Sequence, residues 1–116
     1  MSNLGVIFVA TIVSLAGSEW GPKTDTKPDR FVQFKETDVA GHGGCNRFLG
    51  RYTLDGAAIK IGPLASTRMA CPPEVMEADQ AWIRMLETAR TAEASRNELI
   101  LRDTAGAVIA TLRRRN

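Results

Sequence analysis

Histidine and cysteine are scarce in this sequence, with one His and two Cys among 116 residues. A closed four-ligand zinc site built from so few would have to borrow carboxylates, so neither a metal nor a cofactor is expected. Charge of one sign is scarce as well. Fifteen Lys and Arg against thirteen Asp and Glu leave a net charge of +2, too weak a bias to argue for nucleic acid. The sequence holds no Gly-x-Ser-x-Gly, no P-loop and no dinucleotide fingerprint. No pair of carboxylates stands at a spacing from which acid–base work could be argued, so no catalytic residue is assigned. No apolar run reaches the roughly 20 residues that a membrane-spanning helix needs, and no transmembrane helix is expected.

What is present suits one globular domain. A chain of this length buries roughly 60–68% of the surface exposed by its unfolded form, enough for one core. Its composition, 44% hydrophobic and 24% charged, is that of neither a disordered chain nor a multi-pass membrane protein. Charge is unevenly placed: every charged residue lies at Glu19 or later. Ahead of it, Leu4 to Gly17 is almost wholly apolar or small. Ser14-Leu15-Ala16 has the small-x-small form of a signal-peptidase site, although Met1-Ser2-Asn3 carries no Lys or Arg. The β-branched residues Val6, Ile7, Val9, Thr11, Ile12 and Val13 suit a buried strand equally well. Residues 1–14 are therefore set apart as an apolar segment, signal remnant or first strand, and residues 15–116 as the domain.

Short elements follow. Gly21 to Arg30 reads as a loop with two prolines, Phe31 to Phe34 as a short strand, and Ala40 to Gly44 as a glycine-rich stretch that must contain a turn or bulge. Asp55-Gly56 is a tight-turn signal between strands at Arg51–Leu54 and Ala58–Ile61. Pro72-Pro73 opens the one convincing helix, in which Val75, Ala78, Trp82, Ile83, Leu86 and Ala89 form an apolar stripe. Trp82 is assigned to the core. Strands at Glu98–Arg102 and Ala107–Leu112 complete the chain. The fold class is mainly β (α+β): a small, antiparallel, strongly curved sheet or partly closed β-barrel with one covering helix.

The two cysteines stand in GGCNRFLGRY and GPLASTRMAC, not in a Cys-x-x-Cys arrangement, which disfavours thioredoxin-like redox chemistry. A nucleophilic pair would need His42 to reach Cys45, and no orienting acid is evident. The remaining readings are a disulfide, or two buried thiols in a reducing compartment. The disulfide is expected, stabilising the fold by roughly 3–4 kcal/mol in the chain-entropy model.

Gly44-Cys45-Asn46-Arg47-Phe48, then Gly50-x-Tyr52, then Ile61-Gly62-Pro63-Leu64-Ala65-Ser66-Thr67-Arg68-Met69-Ala70-Cys71 resemble the signature of the META domain family of HslJ-like heat-shock and envelope proteins. Leu15-Ala16-Gly17-Ser18-Glu19-Trp20 resembles the opening of that domain, and the likeness extends over about residues 15–113. It implies a compact β-barrel-like fold with one helix, a cell-envelope setting and no established catalytic activity. Two features depart from the family pattern. Trp20 leads into a loop where relatives run a strand, and Ser18 stands where a lipobox would place its lipidated Cys.

The expected function is a non-catalytic, envelope- or stress-associated domain that binds a protein or small ligand as a monomer. Its setting would be the periplasm or cell envelope, with the cytoplasm as the other reading. Juxtaposed by a Cys45–Cys71 bond, Asn46, Arg47, Thr67 and Arg68 form the candidate surface, Arg47 and Arg68 supplying charge and Asn46 and Thr67 fixing backbone. The alternative role for the two arginines is in structural ion pairs. The alternative function is a small thiol-dependent enzyme or redox protein using Cys45. Arg113-Arg114-Arg115 reads as a solvated, frayed terminus with no interleaved aromatic to stack bases, so no nucleic-acid partner is expected.

Overall fold

The computed structural model describes residues 14–116. Both readings of the apolar N-terminal run therefore fall outside the described residues, apart from its last few positions. Nine strands and one helix follow in the order β1 (Ser18–Pro22), β2 (Phe31–Phe34), β3 (Asp38–His42), β4 (Arg47–Asp55), β5 (Ala58–Ile61), β6 (Ala65–Ser66), α1 (Pro73–Thr88), β7 (Thr91–Ala94), β8 (Glu98–Arg102) and β9 (Val108–Arg114). All pairings are antiparallel. The sheet runs β3-β2-β1-β9-β8-β7-β5-β4-β6, and a further β3–β4 pairing closes it into a ring with β6 flanking β4. The expected curved, barrel-like sheet with one helix is what the chain forms.

Alternation along the strands explains the closure. In β4, Phe48 and Tyr52 point inward and are buried, while Arg47, Leu49, Arg51 and Thr53 point outward. Trp20, Val32, Phe34, Val39, Ile61, Leu99 and Leu101 fill the interior with them. Helix α1 opens on Pro73 after Pro72, and its buried face carries Asp79, Trp82, Ile83 and Leu86. The Trp82 indole N–H donates to the carbonyl of Phe31 at 3.3 Å, and the Glu87 carboxylate accepts the Leu64 amide at 2.9 Å. These bonds lay the helix across the end of the ring where β2 begins and β5 ends.

Local expectations are sharpened or corrected at several places. The expected loop at 21–30 begins two residues late, because β1 continues through Pro22 between β2 and β9. The strand that Trp20 was expected to lack is the one it occupies. The turn expected within Ala40–Gly44 begins at Gly43, whose amide donates to the Asn46 carbonyl at 3.0 Å, while Ala40 to His42 belong to β3. A Cβ on Gly41 would come within 2.3 Å of the Phe31 carbonyl oxygen, so that glycine serves close strand packing. Thr91–Ala94 forms a strand that no pattern announced, its side chains being too small and polar to show alternation. The terminal arginines are not frayed. Arg113 and Arg114 pair with Gly21 and Trp20, and Arg115 holds the Asp29 carboxylate through two N–H groups at 2.9 and 3.0 Å.

Candidate binding surface

The turn from β3 into β4 carries Cys45 and Asn46, and both depend on a residue of α1. Asp79 is fully buried, and its Oδ1 accepts the backbone amides of Cys45 at 3.0 Å and Asn46 at 2.8 Å. Its Oδ2 accepts the Asn46 side-chain amide at 3.2 Å. Gly43 makes room for this carboxylate: a Cβ there would stand 2.3 Å from Oδ1.

Asn46 passes the grip onward. Its Oδ1 accepts the Thr67 hydroxyl at 2.9 Å and the Met69 amide at 2.7 Å, and Thr67 Oγ1 accepts the Arg47 amide at 3.2 Å. Each polar atom of the relay has a partner, as a buried network requires. The two motif segments are also joined covalently by the Cys45–Cys71 disulfide, whose Cα atoms are 6.1 Å apart. Disulfides persist in oxidising compartments, so the bond fits an exported protein.

The four candidate site residues divide accordingly. Asn46, 3% exposed, and the half-buried Thr67 fix backbone. Arg47 and Arg68 are exposed, and among the described residues neither has a carboxylate within ion-pair distance. The structural ion pairs considered for them are not formed there. Around these cations lies apolar surface that residue patterns did not reveal. Leu49 is 65% exposed, Met69 60% and Met76 39%. A hollow of about 600 Å³ lies on the outer faces of β2, β3 and β4, lined by Phe31, Ala40, Leu49, Ala65, Arg47 and Thr67 among others. A second, of about 500 Å³, is lined by Ser66, Thr67, Arg68, Met69, Met76 and Gln80, with Asn46 and Ala70.

The other singled-out residues serve the fold. Trp82 is buried, with the Arg30 guanidinium 5.6 Å from its ring centroid. Ser18 is buried too; its hydroxyl donates to the Leu15 carbonyl and accepts the Trp20 indole N–H at 2.7 Å. His42 Nδ1 accepts the Gly44 amide at 3.0 Å. Among the described residues no group of three or more His, Cys, Asp and Glu converges as a metal site would require, and no helix is long and apolar enough to cross a membrane.

A closed antiparallel ring, one helix across its end and a disulfide-fastened pair of motifs define a small β-barrel-like domain. The META domain model matches residues 11–116, and the chain belongs to that family. Two solved structures share the architecture. One, an NMR structure of a protein from Burkholderia xenovorans, superposes with a TM-score of 0.72 at 19% identity, covering 88% of this chain and 84% of its own. Another NMR structure superposes with a TM-score of 0.63 at 26% identity, covering 90% of this chain and 95% of its own. A search among curated proteins finds no match.

Proposed function

We propose that this META domain works in the periplasm or cell envelope, in a stress-associated role, as a non-catalytic module that binds a partner at the surface around Arg47 and Arg68. One observation carries the reading. Three of the four large exposed hydrophobic side chains among the described residues, Leu49, Met69 and Met76, line the two hollows beside these unpaired cations. Exposed apolar surface rimmed by charge is the ordinary signature of an interaction site. The disulfide supports the oxidising compartment, and it holds the motif segments rigid before any partner arrives. The alternative, a thiol-dependent enzyme or redox protein using Cys45, would first have to open that bond, since the nucleophile is the thiolate.

The test is a selection of displayed random peptides against the oxidised domain, repeated on Arg47→Met and Arg68→Met. Methionine keeps most of the stem and removes the charge. Binding that falls while the melting temperature holds supports the surface. Collapse of stability in both variants would make the arginines structural and remove the site. Fractionation of cells, with sequencing of the mature N-terminus, tests the compartment.

A further inference from the structure

Strand β6 is where the ring leaves an edge. Among the described residues it pairs with β4 alone, through Phe48↔Ser66 and Leu49↔Ala65, and it ends the order of the sheet. The Thr67 amide donates to the Arg47 carbonyl at 3.0 Å. In an antiparallel ladder the groups facing the neighbour alternate along the strand. Ala65 and Thr67 therefore face β4, and the N–H and C=O of exposed Ser66 face the other way, where no further strand of the described residues pairs. Ser66 and Thr67 also belong to both hollows, the apolar one over Ala40 and Leu49 and the one beside Met69 and Met76.

We propose that β6 is a docking edge, and that its occupant is an extended segment of a partner protein in which apolar side chains alternate with Asp or Glu. The proposal rests on the reading of the Arg47–Arg68 surface as a binding surface and names its mode. Main-chain bonds to Ser66 would set the register. Side chains of an added strand alternate in direction, so the two hollows that share Ser66 would receive alternate residues. Charge chooses the partner: Arg47, across the ladder from Thr67, and Arg68, next to Thr67 in sequence, both lie at the C-terminal end of β6 with no carboxylate of the described residues within ion-pair distance. The edge is two residues long, bounded by Pro63 and by Pro72-Pro73. Such shortness limits indiscriminate edge-to-edge pairing, and it leaves most of the affinity to the side chains in the hollows.

The experiment uses the oxidised full chain and the peptides obtained by the selection above. Each binder is resynthesised with one backbone N-methyl group at a time, which deletes a single N–H and leaves the side chains alone. We expect losses of about tenfold at alternate positions and tolerance between them, the loss of one net hydrogen bond. We also expect binders rich in Asp and Glu, and a switch to Lys- and Arg-bearing binders when Arg47→Glu and Arg68→Glu are combined. Peptides that depend on the arginines but tolerate N-methylation everywhere would overturn strand addition and leave the binding surface standing. A selection that returns no peptide dependent on Arg47 or Arg68 would overturn both. A concentration-dependent dimer abolished by Ser66→Pro would make the occupant a second copy of this chain, and the proposal would fall.

Discussion

One carboxylate oxygen of Asp79 lies 2.8 Å from the backbone nitrogen of Asn46, and the other lies 3.2 Å from its side-chain nitrogen. Helix α1 thereby holds the residue after Cys45 by both its main chain and its side chain. Asn46 cannot turn: with its amide donating to Asp79, its Oδ1 is fixed as acceptor for Thr67 and Met69. The helix, the β3–β4 turn and the segment after β6 are thus tied by hydrogen bonds as well as by the disulfide. The exposed Arg47 and Arg68 project from this rigid base.

Replacing Asp79 by Ala should cost about 3–5 kcal/mol, because buried donors lose their acceptor and each unpaired one costs about 1–3 kcal/mol. Asp79→Asn should lose less, since its remaining oxygen can still accept the two amides while its NH2 faces the Asn46 amide donor. Urea denaturation measures both. An unchanged midpoint for Asp79→Ala would show that the network carries no stability.

Opening the Cys45–Cys71 bond, or replacing both residues by Ala, should destabilise by about 3 kcal/mol, given the loop of 26 residues that it spans. The hydrogen-bonded relay remains, so the domain should stay folded at low temperature. Alkylation followed by mass measurement should find no free thiol before reduction and two after it. Two free thiols in the unreduced folded protein would refute the bond.

Much of this architecture was legible because its signals are local. Asp55-Gly56 forced a hairpin between β4 and β5, and the Trp82, Ile83 and Leu86 stripe placed α1 with its apolar face inward. The paired cysteine motifs pointed to the right juxtaposition. The missing parts are those in which tertiary contact outranks local pattern. Asp79 sits three residues before Trp82 and four before Ile83, squarely on the apolar stripe, and a carboxylate there signals a buried acceptor. An apolar stripe drawn through Ala78 and Trp82 passes over it, and so misses the centre of the network. The docking edge was invisible for another reason. Only the pairing of β4 with β3, β5 and β6 reveals which peptide groups of Ala65–Ser66 are left over.

Alkaline pH should weaken the fold through Tyr52. Burial pushes the phenol above its ordinary pKa of 10.0, and the nearby Glu36 charge adds to the effect. The folded state then holds its proton more tightly than the unfolded chain does. This contribution is fully present below the unfolded pKa and is lost as pH rises through the folded one, so stability should decline above about pH 10. Tyr52 also donates its hydroxyl to the Lys35 carbonyl, a bond that the phenolate cannot make. Tyr52→Phe should start somewhat less stable at neutral pH and show a shallower alkaline decline. Parallel curves for the two proteins above pH 10 would assign the decline to other groups.

The arginine-rich terminus should prove structural. Arg115 holds Asp29 through two N–H groups, donates to the Arg30 carbonyl at 3.1 Å, and places its guanidinium 5.0 Å from the ring centroid of Phe31. Asp29 pushes its pKa further upward through the hydrogen bond, so the charge persists at any working pH. Arg115→Ala should cost about 1 kcal/mol, a value kept modest by solvent around the pair and reduced further by salt. Deleting residues 113–116 should cost more, because the Trp20↔Arg114 and Gly21↔Arg113 pairings with β1 go with them. Trp20 would then lose the ladder beside it and the Arg114 guanidinium now 5.6 Å from its ring centroid. Trp20 fluorescence, read in a Trp82→Phe background, should shift to the red in the truncated protein and scarcely move in Arg115→Ala. A truncated chain with unchanged stability and emission would return the arginines to the role of a solvated tail.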